Sequence, residues 1–150
     1  MKTYKTNIVQ YKLREIKTSL SRAQINTSEN AYRYLVELFD KEDIAIYECF
    51  YALYLNRANN TIGYSVISTG GTTSTAVDVK LIVKYAVESL ATAVILCHNH
   101  PSGNMKPSTA DVSITNKIKD ALKLVDCMVL DHIIISPEER YFSFGDEGLI

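Results

Sequence analysis

His98 and His100 stand one residue apart at the end of the apolar run ATAVILC, and they are two of only three histidines in 150 residues. Pro101, Ser102 and Gly103 follow as a turn, and Ser108 and Asp111 come next. Alternate side chains of a strand share a face, so both imidazoles point the way Val94 and Leu96 do, and Cys97 points the opposite way. Two imidazoles converging at the carboxyl end of a strand can hold a metal ion. The same alternation rules out Cys97 as a third ligand and leaves that place to oxygen.

Asp111 is placed to supply it. Ile114, Ile118, Ala121, Leu122 and Val125 form the inward stripe of a helix expected from about Ser108 to Val125. Asp111 and Ser108 continue that stripe backwards in steps of three, at the end nearest the histidines. Two histidines and one carboxylate leave a fourth zinc position open, as catalytic rather than structural sites do. The competing reading is a capping box, with Ser108 as N-cap and Asp111 reaching back to its amide.

A hydrolytic site also needs a base. Glu88 follows Lys80 and Lys84 at steps of four and is expected on a solvated helix face, paired with Lys84. Glu48 lies instead within IAIYECFYALYL, where a buried carboxylate needs compensation, so Glu48 is the candidate base. His132 is expected on a strand face with Leu130 and Ile134, either as a satisfied core histidine or supporting a ligand from behind.

The elements that must position these groups are legible in outline. Residues 7–16 alternate weakly and are expected to form an edge strand. NTSEN caps a helix carrying Tyr32, Leu35, Val36 and Phe39, and KED ends it. Ile44 to Leu55 is expected as a doubly buried strand, with TIGYSVIST as its hairpin partner across NRANN. Val79, Ile82, Val83, Ala86, Val87 and Leu90 mark an amphipathic helix. ATAVILCHNH and MVLDHIIIS are strands flanking the Ser108 helix, and YFSFGDEGLI adds a short one. An initial hairpin followed by alternating strands and helices implies an α/β or α+β fold with a mixed sheet sandwiched by helices.

Length and composition imply one soluble domain, with 47% hydrophobic and 22% charged residues. No apolar run approaches the ~20 residues of a membrane span, and no signal-peptide pattern opens the chain, so a cytoplasmic location is expected. Cys49, Cys97 and Cys127 form no C-x-x-C pair and are read as reduced thiols. The net charge of −1 gives no general attraction to nucleic acid. Residues 1–23 are locally basic, however, with Lys2, Lys5, Lys12, Arg14, Lys17 and Arg22 against Glu15.

His98-Asn99-His100-Pro101, with Ser108 seven residues beyond the proline-ended string and Asp111 in the same helix turn, resembles the JAMM motif of JAB/MPN-domain zinc metallopeptidases. Glu48 occupies the place of that family's upstream glutamate. HNHPSGNMKPSTAD, LDHIIIS and YFSFGDEGLI resemble the RadC-like subgroup, and the resemblance covers residues 28–150, leaving 1–27 as an N-terminal extension. It implies an MPN/JAB-like, cytidine-deaminase-like architecture. It further implies Zn2+ held by His98, His100 and Asp111, Glu48 as base for a zinc-activated water, and Ser108 as oxyanion donor. The implied substrate is a peptide or protein cleaved at a peptide or isopeptide bond. Two features depart from the subgroup: the first 43 residues show no helix-hairpin-helix pattern, and Asp78-Val79 stand where many members have His-Pro.

The alternative the resemblance carries is a DNA-repair-associated or nucleic-acid-interacting protein, supported here only by the basic arm. Zinc deaminase and thermolysin-like spacings are absent. An iron oxygenase would use the same three ligands but leave Glu48 and Ser108 without a purpose.

Overall fold

The computed structural model describes residues 13–72 and 76–150. Of the edge strand expected over residues 7–16, residues 7–12 lie outside the described residues and 13–16 carry no regular structure. Ordered pairing begins just beyond, where Gln24 bridges Asn60, the Ile25 amide donates to Asn59 O at 2.9 Å, and Ile25 enters the core.

α1 (Ser28–Leu35) is capped by Thr27, whose hydroxyl accepts from the Asn30 amide at 3.1 Å, and a short 3-10 turn, Val36–Leu38, follows it. β1 (Cys49–Leu55) and β2 (Thr61–Thr69) form the expected hairpin. β1 begins at Cys49 and not at Ile44: residues 41–46 form turns, with Ile46 and Tyr47 exposed. α2 (Val79–Glu88), β3 (Ala93–Asn99), α3 (Thr109–Lys123), β4 (Met128–Ile135) and β5 (Tyr141–Ser143) complete the chain.

The five strands form one mixed sheet in the order β2-β1-β3-β4-β5, with β3 and β4 parallel and the other pairs antiparallel. The parallel pair is joined through α3, a β-α-β crossover. One face of the sheet, carrying Phe50, Ala52, Tyr54, Val94 and Leu96, packs on Ile82 and Ala86 of α2 and Ile118 and Leu122 of α3. The other, carrying Tyr51, Leu53, Leu55, Ile95 and Cys97, packs on Ala31 and Leu35 of α1. Helices therefore cover both faces of a mixed sheet, an α+β sandwich, as the order of elements implied.

The expected apolar stripe of α2 does not stay inward to its end. Val87 and Leu90 are 47% and 83% exposed. The helix stops at Glu88, and Leu90 takes a left-handed conformation (φ 54°) that lets the Ala91 amide close on Ala86 O at 2.9 Å. Glu88 pairs with Lys84 as expected, at 3.9 Å, but its face is not fully solvated: its second oxygen is buried with no hydrogen-bond partner among the described residues.

Candidate metal centre

Three elements meet at the carboxyl end of β3. His98 lies within the strand, His100 just past it, and α3 begins opposite, so that its first turn faces both rings. The expected alternation holds: His98 continues the Val94–Leu96 face toward α3, and Cys97 packs on the α1 side.

His100 is set by its loop. Its amide donates to Ile135 O at 2.9 Å, and Gly103 N closes the turn back onto His100 O at 2.9 Å. Gly103 has φ +76° and sits against the Glu138 carboxylate, where a Cβ would come within 2.7 Å. Arg140 Nη2 donates to Gly103 O at 3.1 Å, tying the loop to the β4–β5 connection.

Asp111 serves the helix and the histidines together. Ser108 N donates to one carboxylate oxygen at 2.7 Å while Ser108 Oγ accepts from Asp111 N at 3.0 Å, so the capping box is formed. The same carboxylate places Oδ1 3.3 Å from His98 Nε2 and Oδ2 3.3 Å from His100 Nε2. The cap and the ligand reading are therefore compatible, because the cap presents Asp111 to the rings. Ser108 Oγ accepts from Asp111 N, which leaves its own proton to donate into the cleft.

The donor set fits a zinc ion. His100 Nδ1 lies 2.6 Å from the Asn104 carbonyl, which only accepts, so Nδ1 carries the proton and Nε2 presents a lone pair. That lone pair faces His98 Nε2 at 2.9 Å and the Asp111 carboxylate. Acceptors gathered this closely need a cation among them, either a proton or a metal. His98, His100 and Asp111 have ligand atoms within 4.8 Å of one another, and two nitrogens with one oxygen are a zinc-type set.

The charges respond accordingly. Burial pushes the Asp111 carboxyl up, but its contacts with the His100 and His98 rings outweigh it and hold the group well below the usual carboxylate range. Burial alone would lower His100, yet Asp111, the Asn104 carbonyl and Glu48 together raise it.

Glu48 sits at the mouth of β1, not inside it, and is half-buried, so its carboxyl is raised by burial against the opposing pull of His98 and His100. It lines a cleft of about 520 Å³ with Phe50, Val77, His100, Ser108, Asp111 and Ile114. Every candidate site residue named from the sequence thus borders this cleft except His98, which lies behind it, 1% exposed. Among the described residues, Lys106 is the only Lys or Arg on its wall. Arg14, Lys17 and Arg22 of the basic arm are exposed and do not line it, and Lys2, Lys5 and Lys12 lie outside the described residues.

Sequence reasoning missed two groups. Asn99, between the histidines, is fully buried on the α1 side; its Oδ1 accepts from Cys49 N at 2.8 Å, and its Nδ2 donates to Ile44 O at 2.7 Å and Tyr47 O at 2.8 Å. It therefore clamps the segment that carries Glu48. An amide alternating into an apolar strand face was the available signal, since it must find partners. The other is Thr115, one turn beyond Asp111 and 1% exposed. His132 lies between Thr115 Oγ1 and His98 Nδ1, at 2.7 Å from each, so it backs a candidate ligand. It does not share a face with Leu130, which packs on the α1 side, because a register shift between Val94 and Ile95 turns β4 there.

Fold and site together define a mixed-sheet α+β domain with a two-histidine, one-carboxylate centre at a strand end. The sequence pattern of the RadC-like JAB domain matches residues 25–149, and the chain belongs to that family. Its relatives include the UPF0758 protein of Flavobacterium johnsoniae, 50% identical over 103 residues, which are 69% of this chain and 44% of the relative. The UPF0758 protein of Porphyromonas gingivalis is 39% identical over 133 residues, 86% of this chain and 56% of its own length. UPF0758 protein YfjY of Escherichia coli K12 is 45% identical over 103 residues, 69% of this chain and 64% of its own. The chain thus spans about half the length of the relatives it matches. No helix among the described residues is long and apolar enough to cross a membrane.

Proposed function

We propose that this domain is a zinc-dependent hydrolase of peptide or isopeptide bonds, with His98, His100 and Asp111 as ligands, Glu48 as general base and Ser108 as oxyanion donor. The observation that carries the reading is the convergence of two imidazole nitrogens and a carboxylate beside a half-buried glutamate in one cleft. Zinc bound there supplies Lewis-acid polarisation of water and of the scissile carbonyl.

The chain's own residues carry the remaining work. Glu48, made a stronger base by burial, takes a proton from the attacking water and returns it to the departing amine. Ser108 has committed its lone pair to Asp111 N and donates its proton to the developing oxyanion. Phe50, Val77 and Ile114 give the cleft an apolar wall that restricts water around the reacting atoms. Asn99 holds the Glu48 segment in register with the ligands.

The test is a library of linear and isopeptide-linked peptides, incubated with zinc-loaded protein and with Glu48→Gln. Cleavage by wild type and none by Glu48→Gln is the expected result. Equal cleavage by both, or by neither with zinc bound, would remove the peptidase reading.

A further inference from the structure

His132 is buried, has no contact with the cleft and takes no step in the proposed reaction, yet it forms a hydrogen bond to a ligand ring. We propose that Thr115 and His132 form a directional hydrogen-bond relay that fixes the tautomer of His98, so that Nε2 is presented unprotonated to the metal. The inference rests on the reading of His98 as a ligand.

The direction of the relay follows from counting protons. Thr115 Oγ1 is 2.6 Å from the Asp111 carbonyl oxygen, which only accepts, so the single hydroxyl proton points there. Were it turned toward His132, two oxygen acceptors would face each other at that distance unshielded. The Thr115 oxygen is then an acceptor, and its other neighbour, His132 Nδ1 at 2.7 Å, carries a proton and donates. A neutral imidazole with a proton on Nδ1 has a lone pair on Nε2. That lone pair faces His98 Nδ1 at 2.7 Å, so His98 holds its proton on Nδ1 and donates it. His98 Nε2 is left with its lone pair, aimed at Asp111 and His100.

Packing fixes the rings in this orientation. His132 is stacked on Phe144 with centroids 4.7 Å apart, and Phe50 stacks on His98 at 5.7 Å and meets His132 edge-on at 5.4 Å. Asp131 accepts from the His132 amide, Ser143 Oγ and Gly145 N, which fastens the C-terminal segment bearing Phe144 beneath the ring. The relay starts at Asp111 itself: the residue whose carboxylate faces the centre supplies, through its backbone carbonyl, the group that orients His98 from behind. Helix α3 thus sets two of the three ligands.

Thr115→Val keeps the shape and removes the hydroxyl, whereas Thr115→Ser keeps it. Two readouts apply: the tautomer of His98 by nitrogen-15 NMR of the imidazole ring in zinc-free protein, and the zinc dissociation constant from competition with a chelator. Wild type and Thr115→Ser should show His98 protonated on Nδ1, Thr115→Val should show mixed tautomers, and its zinc affinity should fall about 10-fold, the lower end for loss of a group supporting a ligand. Thr115→Ser should restore the affinity. His98 protonated on Nε2 in wild type, or unchanged tautomer and affinity in Thr115→Val, would overturn the relay. Failure of wild type to bind zinc at all would instead remove the ligand reading, while the NMR result still decides the relay.

Discussion

Asn99→Ala separates the two halves of the site. The Asn99 carboxamide is fully buried and makes three hydrogen bonds, to Cys49 N, Ile44 O and Tyr47 O, and the metal-ligand candidates lie on the opposite side of β3. Removing it orphans one amide and two carbonyls. At about 1 kcal/mol for each net hydrogen bond the loss is about 3 kcal/mol, and more wherever water fails to reach an orphaned group. For a chain of this size that lowers the melting temperature by about 10 °C. Cys49 N opens β1 and donates to Asn99 Oδ1, so its hydrogen exchange should accelerate by about 100-fold, the equivalent of about 3 kcal/mol of lost local protection. Zinc affinity should stay near wild type because neither ring is touched. Hydrolysis should fall about 100-fold, the cost of moving a reacting group by about an ångström. The measurements are urea unfolding, amide exchange at Cys49 and chelator competition. An Asn99→Ala protein with wild-type exchange at Cys49 would refute the clamp, and one that loses zinc in proportion to stability would refute the separation of base from ligands.

Further outcomes follow from the same geometry. Glu48→Gln removes a carboxylate whose charged form burial disfavours, so it should raise the urea midpoint of zinc-free protein at neutral pH while abolishing hydrolysis; retained cleavage would dismiss Glu48 as the base. Asp111 is lowered from its ordinary 3.8, so its contribution is present above that value and lost as pH falls. His100 is raised from 6.5, so its contribution is complete below that value and lost as pH climbs through the raised one. The urea midpoint of zinc-free protein should therefore peak between these limits, and a midpoint still climbing above pH 6.5 would contradict the assignment. Leu90→Gly relieves a left-handed backbone at an 83% exposed position and should stabilise by about 1 kcal/mol without altering zinc binding; calorimetry showing a loss would mean the Leu90 side chain packs in solution.

The faces of His98, His100 and Asp111 were legible because strand alternation and helix spacing are short-range rules. They place His98 with Leu96 and Asp111 with Ile114 from a few neighbouring residues. The start of β1 was not legible in the same way. Ile44 to Leu55 is apolar enough for a continuous strand, but the Asn99 amide captures the carbonyls of Ile44 and Tyr47 and holds that segment out of the ladder. That contact spans more than fifty residues and leaves no local mark. For the same reason Glu48 was expected inside a strand, whereas it stands at its mouth. The capping box and the ligand role of Asp111 read as rivals in sequence, where a residue is given one task. In three dimensions a carboxylate has two oxygens, and the cap aims them. The His132 face failed because a register shift between neighbouring strands resets the alternation without any glycine or proline to announce it.

The most direct test of the account is the zinc content of protein purified without an affinity tag, by elemental analysis, for wild type and His100→Ala. The account predicts about one zinc per chain in wild type and almost none in His100→Ala, because two ligands do not make a zinc-type site. An absence of zinc in both, with none taken up when zinc is added, would contradict it, and Asp111 would then be a helix cap that happens to face two histidines.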